Sequence, residues 1–149
     1  MLIHLLVGLP VMLLCLLMQA VFVTICLRYY VRRMQKREDR GTRTWGITLL
    51  SVVMLVAAFG NFIQIGIWAT LFISLGEFSD FETAFYHSGV NFASLGYGDI
   101  VMSERWRLLG PIEATNGILM LGVATAMITA SVTEIIKSAM ALHGMQRGE

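Results

Sequence analysis

Residues 91–100 read NFASLGYGDI: two glycines bracket a tyrosine and an aspartate closes the run, inside a chain that is otherwise largely apolar. Glycine reaches φ > 0 without steric cost, so Gly96 and Gly98 allow successive peptide carbonyls to turn toward one side. At membrane depth such irregular backbone is tolerated only where it is buried in protein or lines a water-filled path, because unpaired peptide groups in lipid are expensive. The flanks of this stretch therefore decide its meaning.

The flanks are those of a membrane protein. The 149 residues are 56% hydrophobic against 14% charged, with mean hydropathy +0.71, well beyond a typical soluble domain. The net charge of +1 points to no nucleic-acid partner, so the distribution of charge is what informs. Residues 2–27 hold no Asp, Glu, Lys or Arg and are long enough to cross a hydrocarbon core of about 30 Å. The pattern predicts an N-terminal transmembrane helix over 1–27. A secretory signal peptide does not fit, because a basic n-region is lacking and the apolar run is too long.

Seven of the eleven basic residues, Arg28, Arg32, Arg33, Lys36, Arg37, Arg40 and Arg43, fall in segment 28–45, which reads as a basic cytoplasmic loop. A voltage-sensor helix needs apolar residues between its charges, whereas Gln35, Glu38, Asp39, Thr42 and Thr44 intervene here. The positive charge holds this side in the cytoplasm and puts the N-terminus outside. A second span is expected over 46–76 and a third over 110–137, where Pro111 suits a first helical turn. Residues 141–149 are a short cytoplasmic tail. Cys15 and Cys26 lie inside an apolar run and read as small buried hydrophobes. Asn61 and Gln64 are mid-span and are expected to bond across helices.

Between the second and third spans, Ser79 followed three residues later by Glu82 is a capping-box signature. It starts a helix over 80–93, roughly 21 Å long at the standard rise and too short to cross. A half-helix thus enters the membrane and stops at the Gly-Tyr-Gly-Asp turn. The fold class expected is an all-α membrane protein: three transmembrane helices plus a re-entrant helix and loop.

Ser94-Leu95-Gly96-Tyr97-Gly98-Asp99 resembles the selectivity filter of the tetrameric potassium-channel superfamily, and the order outer helix, pore helix, filter, inner helix is similar to that family's small bacterial two-helix pores. The likeness covers about residues 46–137, inside a pore domain of 46–140, with the first helix as an addition expected at the pore periphery. It implies a homotetramer whose ion sites are the carbonyls of Leu95, Gly96, Tyr97 and Gly98 with the hydroxyl and carbonyl of Ser94. Rings of such oxygens replace the water around K⁺, and the half-helix aims its partly negative C-terminal end at the ion path. The resemblance further implies that Tyr97 acts as an outward strut and that Asp99 sits at the outer mouth.

Four departures from the family pattern bear on selectivity. Ala93 stands where threonine is common, Ser94 keeps the oxygen but lacks the methyl, Val90 and Asn91 occupy positions where threonine or an acid is often found, and Tyr86-His87 stand where two aromatics often brace the filter. On the third span Thr115, Gly122, Ala126, Thr129 and Thr133 share one line at about 100° per residue and are expected to line the cavity below the filter. Met120, Leu121, Met127, Ile128 and Ile135 lie opposite. The alternative to this cavity wall is a small-residue packing face over Gly122 and Ala126, and the resemblance implies a gating hinge at Gly122, close to where the family's inner helix bends. Glu134 and Lys137 form either a helix-surface pair or a charged ring at the inner mouth. Of His4, His87 and His143, which titrate near neutrality, His87 is placed behind the filter.

The expected function is passive K⁺ conduction across the cell inner membrane, with K⁺ ions in the filter and no organic cofactor, no catalysis and no small-molecule substrate. The expected partners are three further copies and membrane lipid. A non-selective monovalent cation channel and a non-conducting subunit with the pore fold are the alternatives. A transporter lacks its second half-helix here, and a membrane enzyme lacks a nucleophile and base, or a metal-ligand cluster, at usable spacing. Only twelve residues follow Lys137, so regulation is expected from lipid, voltage, pH, the first helix or a separate partner.

Overall fold

The computed structural model describes residues 2–35 and 42–146, and four helices carry most of them: α1 Leu2–Gln35, α2 Thr42–Ser74, α3 Phe81–Phe92 and α4 Leu109–Gln146. Three contain apolar stretches long enough to span a membrane, Leu2–Cys26, Leu50–Ser74 and Leu109–Lys137. This is an all-helical, multi-pass membrane chain, with no strand among the described residues. Within lipid a helix satisfies every backbone group internally, which is why the apolar stretches take this form.

The basic segment 28–45 differs from the loop expected there, because α1 continues to Gln35 and α2 begins at Thr42. Arg, Gln and Met are good helix formers, Tyr and Val cost little, and neither Gly nor Pro occurs in Arg28 to Gln35, so nothing there stops a helix already nucleated by the span before it. Lys36, Arg37, Glu38, Asp39, Arg40 and Gly41 lie outside the described residues. So do the side chains of Arg32, Arg33, Arg43, Glu134 and His143.

Helix α3 has 12 residues, about 18 Å at the standard rise, so it cannot cross. Its N-cap is Asp80, whose Oδ1 accepts from the Thr83 backbone N–H at 2.8 Å. This corrects the expectation of a Ser79 cap: Ser79 is one residue too early, and a carboxylate also complements the positive end of the helix dipole. That N–H holds the Asp80 carboxyl below the ordinary carboxylate range.

Helix α3 packs on both α2 and α4, whereas α1 packs on α2 and α4 without reaching α3. One core cluster joins Cys15 of α1, Trp68 and Phe72 of α2, Met102 and Trp106 of the 93–108 connection, and Leu109 of α4. A second joins Cys26, Val53, Ala57, Ala124 and Met127 on α1, α2 and α4. The helices approach closely where glycine allows it: a Cβ on Gly8 of α1 would lie 3.2 Å from Ile112 and Leu109, and one on Gly60 of α2 would lie 3.3 Å from Phe22. Beside Gly60, the buried Gln64 amide donates to Gln19 Oε1 at 2.9 Å, the interhelical bond expected of Gln64. Leu6, Leu9, Leu13 and Leu17 remain exposed on α1, a surface suited to lipid.

Candidate functional site

Helix α3 ends at its C-cap Ala93, whose N–H reaches back to Gly89 O and Asn91 O. The chain then enters segment 94–99 with an alternating backbone. Ser94, Gly96 and Gly98 have φ of 57°, 59° and 73°, whereas Leu95 and Tyr97 do not have positive φ. Glycine takes these values freely; a serine with φ > 0 is uncommon and strained. The Ser94 turn is held by its own N–H to Asn91 O at 2.8 Å and by Leu95 N–H to Val90 O at 2.9 Å.

The alternation places the residues of the segment on two sides. Ser94 and Gly96 line an open cavity shared with His87, Asn91, Met102, Arg107 and Pro111. Leu95 and Tyr97 line a groove on the other side with Phe62, Phe85, Tyr86 and Val90. In the single chain, positions 94–99 are all exposed.

Three contacts fix the chain at the end of the segment. The Tyr86 hydroxyl donates to Asp99 Oδ2 at 2.6 Å, and Asp99 Oδ1 accepts from Ile100 N–H at 3.0 Å. The Tyr86 bond holds the Asp99 carboxyl below the ordinary carboxylate range and pushes the Tyr86 phenol up. His87 Nδ1 lies 2.9 Å from the Ile100 carbonyl. Farther along, Glu77 accepts from both the N–H and the hydroxyl of Ser103 at 2.6 Å, tying the connection into α3 to the connection out of the segment. Tyr86 and His87 therefore brace the segment through one hydrogen bond each, one to a side chain and one to a carbonyl.

Behind α3 is a polar cluster that residue spacing did not single out. Glu113 of α4 is fully buried. Its Oε1 contacts Ser88 Oγ, and its Oε2 accepts from Asn91 Nδ2 at 3.2 Å. Asn91 Nδ2 also lies 2.9 Å from His87 Nε2, and Ser88 Oγ donates to Ile65 O of α2 at 2.9 Å. One turn along α4, a Cβ on Gly117 would stand 1.9 Å from the Phe92 carbonyl oxygen. Here the end of α3 rests backbone to backbone on α4. A signal for Glu113 was available, since it is the single acid in residues 109–133, and an ionisable residue inside a span is by default a functional-site candidate.

On α4, Thr115, Gly122, Ala126, Thr129 and Thr133 all lie on exposed surface of the single chain, whereas Met120, Ala124 and Met127 are buried against the other helices. Leu121, from the opposite group, is exposed as well. Thr115, Thr129 and Thr133 each donate to the carbonyl four residues back at 2.9 Å. With the proton committed inward, the hydroxyl lone pairs stay available to accept from water or to face a cation. A Cβ on Gly122 would meet nothing within 4 Å.

Among the described residues no group of three or more His, Cys, Asp or Glu side chains could hold a metal ion. Residues 62–134, just under half the chain, match the family model described as an ion channel. Comparison with curated proteins and with solved structures gives no match.

Proposed function

We propose that this chain, which matches the ion-channel family model over residues 62–134, is a potassium-selective channel, four copies of which surround one pore in the cell inner membrane. The single observation that carries this reading is the alternating backbone of segment 94–99, with positive φ at Ser94, Gly96 and Gly98 only. Alternation of hand turns successive peptide planes the same way, so the carbonyls of Ser94, Leu95, Gly96, Tyr97 and Gly98 present a column of oxygens to a common axis. Four columns form rings that substitute for the hydration shell of a monovalent cation, so K⁺ enters without a large dehydration penalty.

Closed rotational symmetry supplies the other three walls. Tyr97 and Leu95, on the groove side, abut the neighbouring copy. Asp99 sits at the outer mouth, with Tyr86 holding its carboxylate in place. Below the filter, Thr115, Gly122, Ala126, Thr129 and Thr133 line the cavity, and Gly122, with open space around it, is the hinge. The N-terminus lies outside and the C-terminus in the cytoplasm, as the basic segment between α1 and α2 requires. Transport is passive, and K⁺ is the cargo rather than a resident cofactor.

A second reading, a channel passing K⁺ and Na⁺ alike, is favoured by Ser94, a non-glycine residue at φ 57°, and by Ala93, which has no hydroxyl to tether the turn. Flux in liposomes holding the full chain separates the two. Under a K⁺ gradient and then a matched Na⁺ gradient, selective K⁺ flux abolished by Gly96→Ala supports the first reading. Equal flux of both ions supports the second, and no flux of either ion across a range of pH and voltage would sink both.

A further inference from the structure

The geometry points to Glu113 as a positioning residue, held as a neutral carboxylic acid, that completes a hydrogen-bond chain in which Asn91 donates both ways, through Glu113 and Ser88 to the Ile65 carbonyl of α2 and through His87 to the carbonyl just past the filter. The positioning role rests on the filter reading proposed for segment 94–99; the protonation state does not.

The protons can be counted from the two ends. The Ile65 carbonyl can only accept, so the bond at 2.9 Å takes the single hydroxyl proton of Ser88. Ser88 Oγ therefore has none left for Glu113, yet it lies in close contact with Glu113 Oε1. Two oxygens in contact without a proton between them repel, so the proton is on the carboxyl and Glu113 donates to Ser88. At the other end the Ile100 carbonyl also only accepts, so His87 carries its proton on Nδ1 and is an acceptor at Nε2. The two amide protons of Asn91 then have one acceptor each, His87 Nε2 at 2.9 Å and Glu113 Oε2 at 3.2 Å. Every donor in the chain finds one acceptor.

Burial agrees with this count. Glu113 is fully buried and no cation is among its partners, a setting in which a lone carboxylate neutralises rather than stays charged. The neutral acid does two jobs that a carboxylate cannot do together. It donates to Ser88 and accepts from Asn91, which lie on successive turns of α3. Those turns lead into Ala93 and the strained Ser94, so a carboxyl on α4 sets the position of the residues that begin the filter. Through Asn91 and His87 the same carboxyl also orients the Ile100 carbonyl at the far end.

The test uses the full chain in liposomes, with the K⁺ over Na⁺ permeability ratio as readout and Glu113→Gln, Glu113→Ala and Ser88→Ala as variants. A glutamine amide can donate to Ser88 and accept from Asn91, so Glu113→Gln keeps the ratio within about twofold of wild type, whereas Glu113→Ala, and Ser88→Ala with its minimal volume change, lower it roughly tenfold, the loss expected for stranding one buried hydrogen-bond partner. Infrared difference spectra of wild type against Glu113→Gln should show the carbonyl stretch of a protonated carboxyl. A ratio unchanged in Glu113→Ala and Ser88→Ala would overturn the positioning role. A carboxylate band in place of the acid band, or a Glu113→Gln variant as impaired as Glu113→Ala, would overturn the proton assignment. If Glu113→Ala does not assemble, Ser88→Ala decides the positioning role by itself. If wild type does not discriminate between the ions, the filter reading falls and the positioning role falls with it, while the infrared band still decides the proton.

Discussion

Gly117→Ala is the sharpest perturbation the fold offers. The added Cβ would lie 1.9 Å from the Phe92 carbonyl oxygen and 2.7 Å from its carbon, against 3.4 Å for ordinary contact. Both atoms are backbone, so no side-chain rotamer relieves the overlap, and the C-terminal end of α3 must move about 1.5 Å away from α4. That movement lengthens Asn91 Nδ2 to Glu113 Oε2 from 3.2 Å past any useful hydrogen bond, and it pulls Ser88 from Glu113. Two buried polar contacts at roughly 1–3 kcal/mol each, added to overpacking of similar size, amount to several kcal/mol. The expected outcome is a large fall in thermal unfolding temperature in detergent, together with loss of K⁺-selective flux. Gly122→Ala is the control, since its Cβ meets nothing within 4 Å and alanine favours a helix by about 1 kcal/mol over glycine; its stability should hold or rise while its gating changes. Wild-type stability and flux in Gly117→Ala would refute the close approach of α3 to α4.

Two further predictions concern the outer mouth and the added helix. Tyr86→Phe removes the bond that depresses Asp99. The stabilisation from ionised Asp99 is present above its unfolded value and fades as pH falls through the depressed folded value, so the variant should lose K⁺ flux at a higher pH than wild type. On the alkaline side, the Tyr86 contribution is complete below the unfolded phenol value and disappears as pH rises through the elevated folded one. An unchanged Asp99 carboxyl titration by NMR would contradict this. A double-mutant cycle on Gln19→Leu and Gln64→Leu should give a coupling of about 0.6 kcal/mol, the usual size for such bonds between transmembrane helices. Zero coupling in thermal unfolding would place α1 elsewhere than against α2 at this point.

The three spans, the short capped helix between them and the turn at Gly96 and Gly98 were legible from residue type and spacing alone. Apolar length dictates a span because lipid offers the backbone no partner, and only glycine adopts positive φ without strain. The positive φ at Ser94 was not legible, because no serine announces it; it arises from the bonds to Asn91 and Val90 carbonyls that close the end of α3. The capping-box pattern also put the cap one residue early, at Ser79, whereas the path of the chain into Phe81 makes Asp80 the cap. Gln64 was expected to bond across helices, but its partner, Gln19, is 45 residues away and only packing could supply it.

The largest difference lies behind the candidate site. Residue types state that Ser88, Asn91 and His87 share a short helix and that Glu113 and Gly117 share a long one. They do not state that the two helices meet with no side chain between Phe92 and Gly117, or that this approach drops the Glu113 carboxyl among three polar groups of α3. Spans, half-helix and glycine turn are local consequences of chain chemistry in lipid, so the sequence alone determines them. The polar chain from Ile65 to Ile100 exists only because tertiary packing brings three helices within hydrogen-bond reach, and that distance is set by the fold.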